Sequence, residues 1–266
     1  MNRKIIASML AAAGIAMSGA AQATFVVGGV DFGSPGSHLE TTTIAETFVN
    51  GNGQHLLGYG VINTVNGASS YTSNGDKLFF TFDYTTTGFT PTSTGFINGV
   101  VNVFKGANVN LLNQSSAANW ALINGYSQWV RFTGHAGSSV VNPLYELFSQ
   151  GTLTGSNTIS FFGDGLLDVD LSGTFGIAGV AAALNGNDID DVIGGKADAL
   201  ITTSGNNLIL NSHDNTTGCR TQRAAAGQWC VAGSADIRGT VLPEPGSLAL
   251  AGLGLLGLGA ARRRSK

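Results

Sequence analysis

Along Leu78-Phe79-Phe80-Thr81-Phe82-Asp83-Tyr84, apolar residues Leu78, Phe80, Phe82 and Tyr84 fall on one face and Thr81 and Asp83 on the other. Side chains on a strand repeat every two residues, so this period predicts a half-buried antiparallel strand. Further strands are predicted over Thr24–Phe32, Leu56–Val65, Gly95–Phe104, Ser127–Thr133, Thr158–Phe162, Leu166–Ile177, Ala197–Thr203, Asn207–Asn211 and Trp229–Val241. Seven Asn-Gly dipeptides, at Asn50, Asn52, Asn66, Asn74, Asn98, Asn124 and Asn185, punctuate them. Asn-Gly accepts the positive φ values of tight hairpin turns. Helical patterning is confined to Ala117–Ile123 and Pro143–Phe148, the latter with Asn142 as a cap and Pro143 at the first helical position. Many short strands with few helices predict an all-β fold: an antiparallel β-sandwich, jelly-roll-like, with a β-helix as the alternative.

Two segments break this pattern. Residues 1–23 run from Arg3-Lys4 through an apolar stretch, Ile5 to Met17, to Ala21-Gln22-Ala23. A basic patch, an apolar core and small residues before the cut make a secretory signal peptide, cleaved by signal peptidase after Ala23 to leave Thr24 first. At the other end, Pro243-Glu244-Pro245 precedes an apolar run from Leu248 to Ala261 and then Arg262-Arg263-Arg264-Ser265-Lys266. Fourteen residues at 1.5 Å each make a transmembrane-type helix of about 21 Å, short of a membrane core of roughly 30 Å. Such a helix suits transient residence in a membrane, its arginines held on the cytoplasmic side. The prolines keep the preceding strip extended and open to a processing enzyme. The chain therefore divides into a signal peptide (1–23), a β-sandwich ectodomain (24–240) and a C-terminal segment (241–266) that, by the resemblance given below, is a sorting signal.

Charge changes the picture once the ends are set aside. Six of the 13 Lys and Arg lie in the terminal segments, leaving seven against 15 Asp and Glu between Thr24 and Leu242, a net charge of about −8. A surface of that sign repels phosphate backbones, which excludes nucleic acid as a partner. Charged residues are only 11% of the chain and 39 residues are Gly. That composition excludes a coiled coil or a charged disordered tail. The two cysteines, Cys219 and Cys230, follow an export signal and enclose a short loop, so a disulfide is predicted.

Candidate chemistry is sparse. His38, His55, His135 and His213 show no metal-binding spacing, and no nucleophile elbow, phosphate loop or dinucleotide fingerprint occurs. Asp164, Asp168 and Asp170 offer the paired carboxylates of a glycoside hydrolase. Asp188, Asp190 and Asp191 lie in a Gly- and Asp-rich stretch that could hold a structural Ca²⁺ through oxygen ligands. Trp120, Trp129, Trp229 and Tyr126 could stack on sugar rings. The expectation is a protein that is not an enzyme and needs no cofactor.

The segment from Leu242 to Lys266, about a tenth of the chain, resembles the PEP-CTERM sorting signal of Gram-negative bacteria in its Pro-Glu-Pro motif, apolar helix and Arg-rich end. This resemblance implies export through the secretion translocon, processing by an exosortase, and residence at the cell surface or in an exopolysaccharide matrix. Within the body, Gly58-Tyr-Gly-Val-Ile-Asn63, Gly165-Leu-Leu-Asp-Val169 and Ala197-Asp-Ala-Leu-Ile-Thr202 are similar to stretches of PEP-CTERM proteins linked to flocculation. They imply a structural or adhesive role in biofilm or floc formation, with binding of matrix carbohydrate as the alternative and an envelope glycoside hydrolase as a third reading.

Overall fold

A computed structural model describes residues 25–154, 158–221 and 223–242. The predicted signal peptide with its cleavage residues Ala21, Ala23 and Thr24 lies outside the described residues. So do Pro243, Glu244, Pro245, the apolar helix and Arg262, Arg263 and Arg264. No helix among the described residues is long and apolar enough to cross a membrane.

The strands are β1 (Val26–Val27), β2 (Val30–Asp31), β3 (Gly36–Thr47), β4 (His55–Val65), β5 (Lys77–Thr87), β6 (Ser93–Gly106), β7 (Ser127–His135), β8 (Leu147–Thr152), β9 (Ser160–Val169), β10 (Ile189–Asp190), β11 (Lys196–Ala197), β12 (Ala199–Asn206) and β13 (Trp229–Thr240). Helices α1 (Ser116–Asn124) and α2 (Ala178–Leu184) interrupt them. Eight strands form an antiparallel barrel in the order β3-β4-β5-β6-β7-β9-β12-β13, with β13 returning to β3. The predicted all-β class holds; the sandwich does not. A sandwich leaves sheet edges open, whereas here β9 and β12 pair from Ser160↔Asn206 to Leu167↔Ala199 and join the two ends of the sheet.

One stave is made of two strands. His135, the last residue of β7, pairs with Leu166 of β9, and Leu147, the first of β8, pairs with the adjacent Gly165. Residues 136–146 leave the wall between them. Pro143–Phe148, predicted helical, is therefore a turn followed by strand. Asn142 caps only that turn, its side chain accepting from the Leu144 amide at 3.0 Å, because ladders to both β6 and β9 claim the backbone from Leu147 onward.

Three further boundaries move. The predicted strand Thr24–Phe32 is a small hairpin, β1–β2, folded at Gly28-Gly29. The strand over Leu166–Ile177 stops at Val169, and α2 follows. The strand predicted at Asn207–Asn211 is loop, since the β12 ladder ends at Asn206. Strand β3 was missed altogether. Its sequence, Gly-Ser-His-Leu-Glu-Thr-Thr-Thr-Ile-Ala-Glu-Thr, carries two Glu and little apolar bulk. Its four threonines nonetheless favour the pleat, being β-branched.

The barrel is filled by side chains rather than left open. As predicted, Leu78, Phe80, Phe82 and Tyr84 share the inward face, where they join Leu39, Ile62, Val101 and Ile237. Three inward rings lie against glycines directly across the ladder: Phe82 on Gly58, Phe80 on Gly60 and Phe161 on Gly205. A side chain on any of these glycines would occupy the space of the ring. The β1–β2 hairpin, Trp129 and Val180 of α2 extend the same core. On the outer face of β4–β6, α1 covers a second cluster that includes Tyr59, Phe79 and Phe104. The Tyr59 hydroxyl meets Ser116 Oγ at 2.9 Å and accepts from Asn119 Nδ2 at 2.9 Å. These bonds pin α1 to the wall. Its N-terminus is further held by Asp214, which accepts from the Ser116 amide at 2.8 Å.

Of the Asn-Gly pairs, Asn66-Gly67 forms the tight turn expected, with φ of 49° and 79° and reciprocal backbone bonds between Val65 and Ala68. Asn98-Gly99 instead sits inside β6 as a bulge, and Asn124 and Asn185 end α1 and α2.

The predicted disulfide joins Cys219 to Cys230 with Cα atoms 5.2 Å apart. Both cysteines are buried with Phe48, Ile159 and Val231. Replacing both by Ser should lower unfolding stability by about 2–3 kcal/mol, the entropy released to an 11-residue loop. Urea titration of the double variant measures it. The native protein should also resist thiol reagents until reduced.

Candidate functional site

Residue Glu46 enters the barrel because β3 slips. The β3–β4 register shifts between Thr43 and Ala45, so Ile44 and Ala45 pack outward while Glu46 pairs with Gly58 and faces inward. Its side chain, in a residue only 6% exposed, has no hydrogen-bond or ion-pair partner among the described residues. Burial, with nothing to offset it, raises its pKa from 4.5 to about 8. At neutral pH Glu46 is therefore a neutral acid.

Two small cavities adjoin this carboxyl. One, of about 40 Å³, is bounded by Phe80, Phe82, Tyr84, Phe161 and hydroxyl-bearing Thr41, Thr43 and Ser149. The other, of about 30 Å³, runs toward Phe48, Phe89, Leu153 and Ile159. Glu46, Leu56, Ser149 and Phe161 border both. Since a water needs at least about 10–15 Å³ of such space, each holds a few waters or a few heavy atoms of a ligand. The Tyr84 hydroxyl is buried and has no partner among the described residues either. Burial, then the charge of Glu146, raises its pKa. A chamber of aromatic rings with one carboxylic acid and one phenol offers polar anchoring in an apolar surround.

A second constellation lies on the outer wall where β7 ends. His135 Nδ1 lies 2.8 Å from Asp168 Oδ2, and its Nε2 lies 2.9 Å from Asp191 Oδ2. Burial lowers the His135 pKa, but the hydrogen bonds to Asp191 and Asp168, with their charges, outweigh it and the net shift is upward. Asp191 falls to about 2, chiefly through His135, with further help from backbone amides. Asp191 Oδ1 accepts from the amides of Ile193 at 2.8 Å and Gly195 at 2.7 Å. The His135 ring thus ties the β10–β11 turn to β7 and β9. With both ring nitrogens engaged by carboxylates, it has no free nitrogen for proton transfer.

The predicted glycosidase carboxylates do not converge. Asp168 is taken by His135, Asp170 lies 3.7 Å from Arg131 and accepts from the Ser172 amide, and Asp164 is exposed. The three predicted calcium ligands also part company: Asp188 bonds Thr240, Asp190 bonds Lys196 at 2.5 Å, and Asp191 bonds His135. Among the described residues no cluster of three or more His, Cys, Asp or Glu is placed to hold a metal. Trp129 is fully buried and stacks with Phe32. Trp120 and Trp229 are half-buried, with ring centroids 6.0 Å apart, and Tyr126 packs on Phe79. Neither Glu46 nor the His135 clamp was foreseen. The available signal for Glu46 is a lone carboxylate inside Ile44-Ala45-Glu46-Thr47-Phe48-Val49.

Residues 241–264 match the PEP-CTERM protein-sorting motif. The motif implies exosortase as the processing partner and sorting through the membrane to the cell surface. Searches of curated proteins and of solved structures find no match.

Two measurements follow from the titrating groups. Unfolding lets Glu46 ionise near 4.5 while the folded barrel holds its proton to about 8. The folded state therefore binds more protons between those values, and stability falls as pH rises through that window. Glu46→Gln should flatten this fall and unfold at higher temperature than the parent at pH 9, with near parity at pH 4.5. For His135, raised in the folded state, the contribution is full below 6.5 and is lost as pH rises through the folded value. His135→Gln should speed hydrogen exchange at the Ile193 and Gly195 amides at pH 6 at least tenfold, leaving β3–β6 amides unchanged.

Proposed function

We propose that this bearer of the PEP-CTERM motif is exported from a Gram-negative cell, cut by exosortase at the inner membrane, and left as a non-enzymatic component of the extracellular polysaccharide matrix. There it serves a structural or adhesive role in biofilm or floc formation. The observation that carries this reading is the position of the motif. It begins at residue 241, directly after β13 ends at Thr240. The backbone is still held by the barrel at Val241, which bonds Pro35, and at Leu242, which bonds Ala183. All eight staves lie upstream, so cleavage beyond Leu242 leaves every described strand whole. A closed barrel with an internal disulfide suits a protein that must persist outside the cell, where no chaperone follows it.

A second reading, binding of matrix carbohydrate, draws support from the half-buried pair of Trp120 on α1 and Trp229 on β13, at the outer wall. Retention on immobilised exopolysaccharide that Trp120→Ala abolishes supports it, and failure of the parent protein to be retained counts against it.

Replacing Pro243-Glu244-Pro245 by three alanines should trap the full-length form in the inner membrane and cut the extracellular yield at least tenfold. Cell fractionation with immunoblotting measures this, and an unchanged extracellular yield contradicts the sorting route. A deletion strain should form weaker flocs or biofilm, and unaltered aggregation contradicts the matrix role.

A further inference from the structure

We propose that the barrel interior is a binding site for a small organic ammonium ion, held by the Glu46 carboxylate and surrounded by the rings of Phe80, Phe82 and Tyr84. Three independent features of the chamber point to that class of ligand. First, Glu46 is more than nine-tenths buried and meets no donor or cation among the described residues, although a buried acid without a partner is costly to keep. An ammonium group from outside supplies both the missing donor and the missing charge.

Second, the rings beside it form a continuous series. The Phe80 and Phe82 centroids lie 6.3 Å apart with planes at 11°, and those of Phe82 and Tyr84 lie 6.3 Å apart with planes at 58°. All three border the same cavity as Glu46. Aromatic faces attract cations through the ring quadrupole, and quaternary and methylated ammonium groups are recognised by just such surrounds. An anion would meet a carboxyl and electron-rich faces, and would be rejected.

Third, size sets an upper limit. Cavities of about 40 and 30 Å³ meeting at Glu46 accommodate a head group such as methylammonium or trimethylammonium, not a lipid or a sterol. The acidic body of the protein, with 15 acidic against seven basic residues, raises the local concentration of cations around it. The half-buried Val49 and Phe89 border the smaller cavity and mark the end of the barrel through which such an ion enters. On binding below the Glu46 pKa the carboxyl releases its proton to solvent, and the ammonium nitrogen donates to the carboxylate so formed.

The test uses the mature exported protein and trimethylammonium chloride, read by saturation-transfer NMR on the methyl protons, with sodium chloride at equal ionic strength as the blank. Transfer to the methyl groups is expected, with upfield shifts of the bound resonance from the rings. Glu46→Gln should weaken binding at least tenfold, and Phe82→Leu severalfold. Uncharged tert-butanol, which carries C–OH in place of N–H on the same three methyl groups, should bind at least tenfold more weakly than the ammonium. Near-UV circular dichroism establishes that each variant is folded, and if Glu46→Gln is not, Phe82→Leu and the tert-butanol comparison carry the test. Absence of transfer, which leaves the chamber occupied by water only, overturns the proposal. So does equal binding of tert-butanol, or equal affinity in parent and Glu46→Gln. None of these outcomes bears on sorting or matrix residence.

Discussion

Pairing of β9 with β12 along its ladder is the constraint from which the rest of the structure follows. Without it the sheet would be open, with β9 and β12 each presenting a bare edge along that ladder. With it every stave has two neighbours, and the backbone groups that would otherwise template pairing with other chains are satisfied internally. Closure also fixes which residues share an interior. It brings Ile201 and Thr203 of β12 to the chamber wall that Phe80, Phe82 and Tyr84 of β5 also line.

That interior is resolved by a trade between large and absent side chains. Phenylalanine rings lie where the opposing strand offers glycine, so the barrel is filled from one strand of a pair at a time. The β3 bulge is the exception that gives the chamber a character of its own. By placing Ile44 and Ala45 together on the outer face, it brings Glu46 among the rings, and none of the described residues compensates its burial. Such a conflict between local chemistry and surroundings is where function is most often found in an otherwise consistent fold. The outer wall shows the opposite solution. There His135 and two aspartates satisfy one another and serve the docking of a turn.

What was legible in the sequence was whatever is local. The alternation of β5, the helix at Ala117–Ile123, the Asn66-Gly67 turn and the cysteine pair are each written within a dozen residues. The sorting motif is read as a linear string by its enzyme and could be read the same way on the page. Barrel closure could not, because Leu167 meets Ala199 through a register that no short window of either strand encodes. His135 likewise finds Asp168 and Asp191 at separations of 33 and 56 residues. Strand β3 was hidden by its threonines and glutamates, and Glu46 with it, since its inward direction depends on a register shift in pairing with β4. The strong turn signal of Asn-Gly was over-read at Asn98, where the same backbone freedom serves a bulge.

Strand β13 ends where the sorting motif begins and is hydrogen-bonded along both sides, to β12 and to β3. If the protein is held at its C-terminus while its body is dragged by flow or by neighbouring cells, the pull runs along the axis of that strand. The two flanking ladders are then loaded in shear, many bonds sharing the force at once, instead of being unzipped one after another. Rupture under load is governed by the rate of forced unfolding rather than by equilibrium stability. A tether leaving from a stave paired on both sides therefore gives the barrel mechanical endurance that attachment at a frayed edge strand would lack.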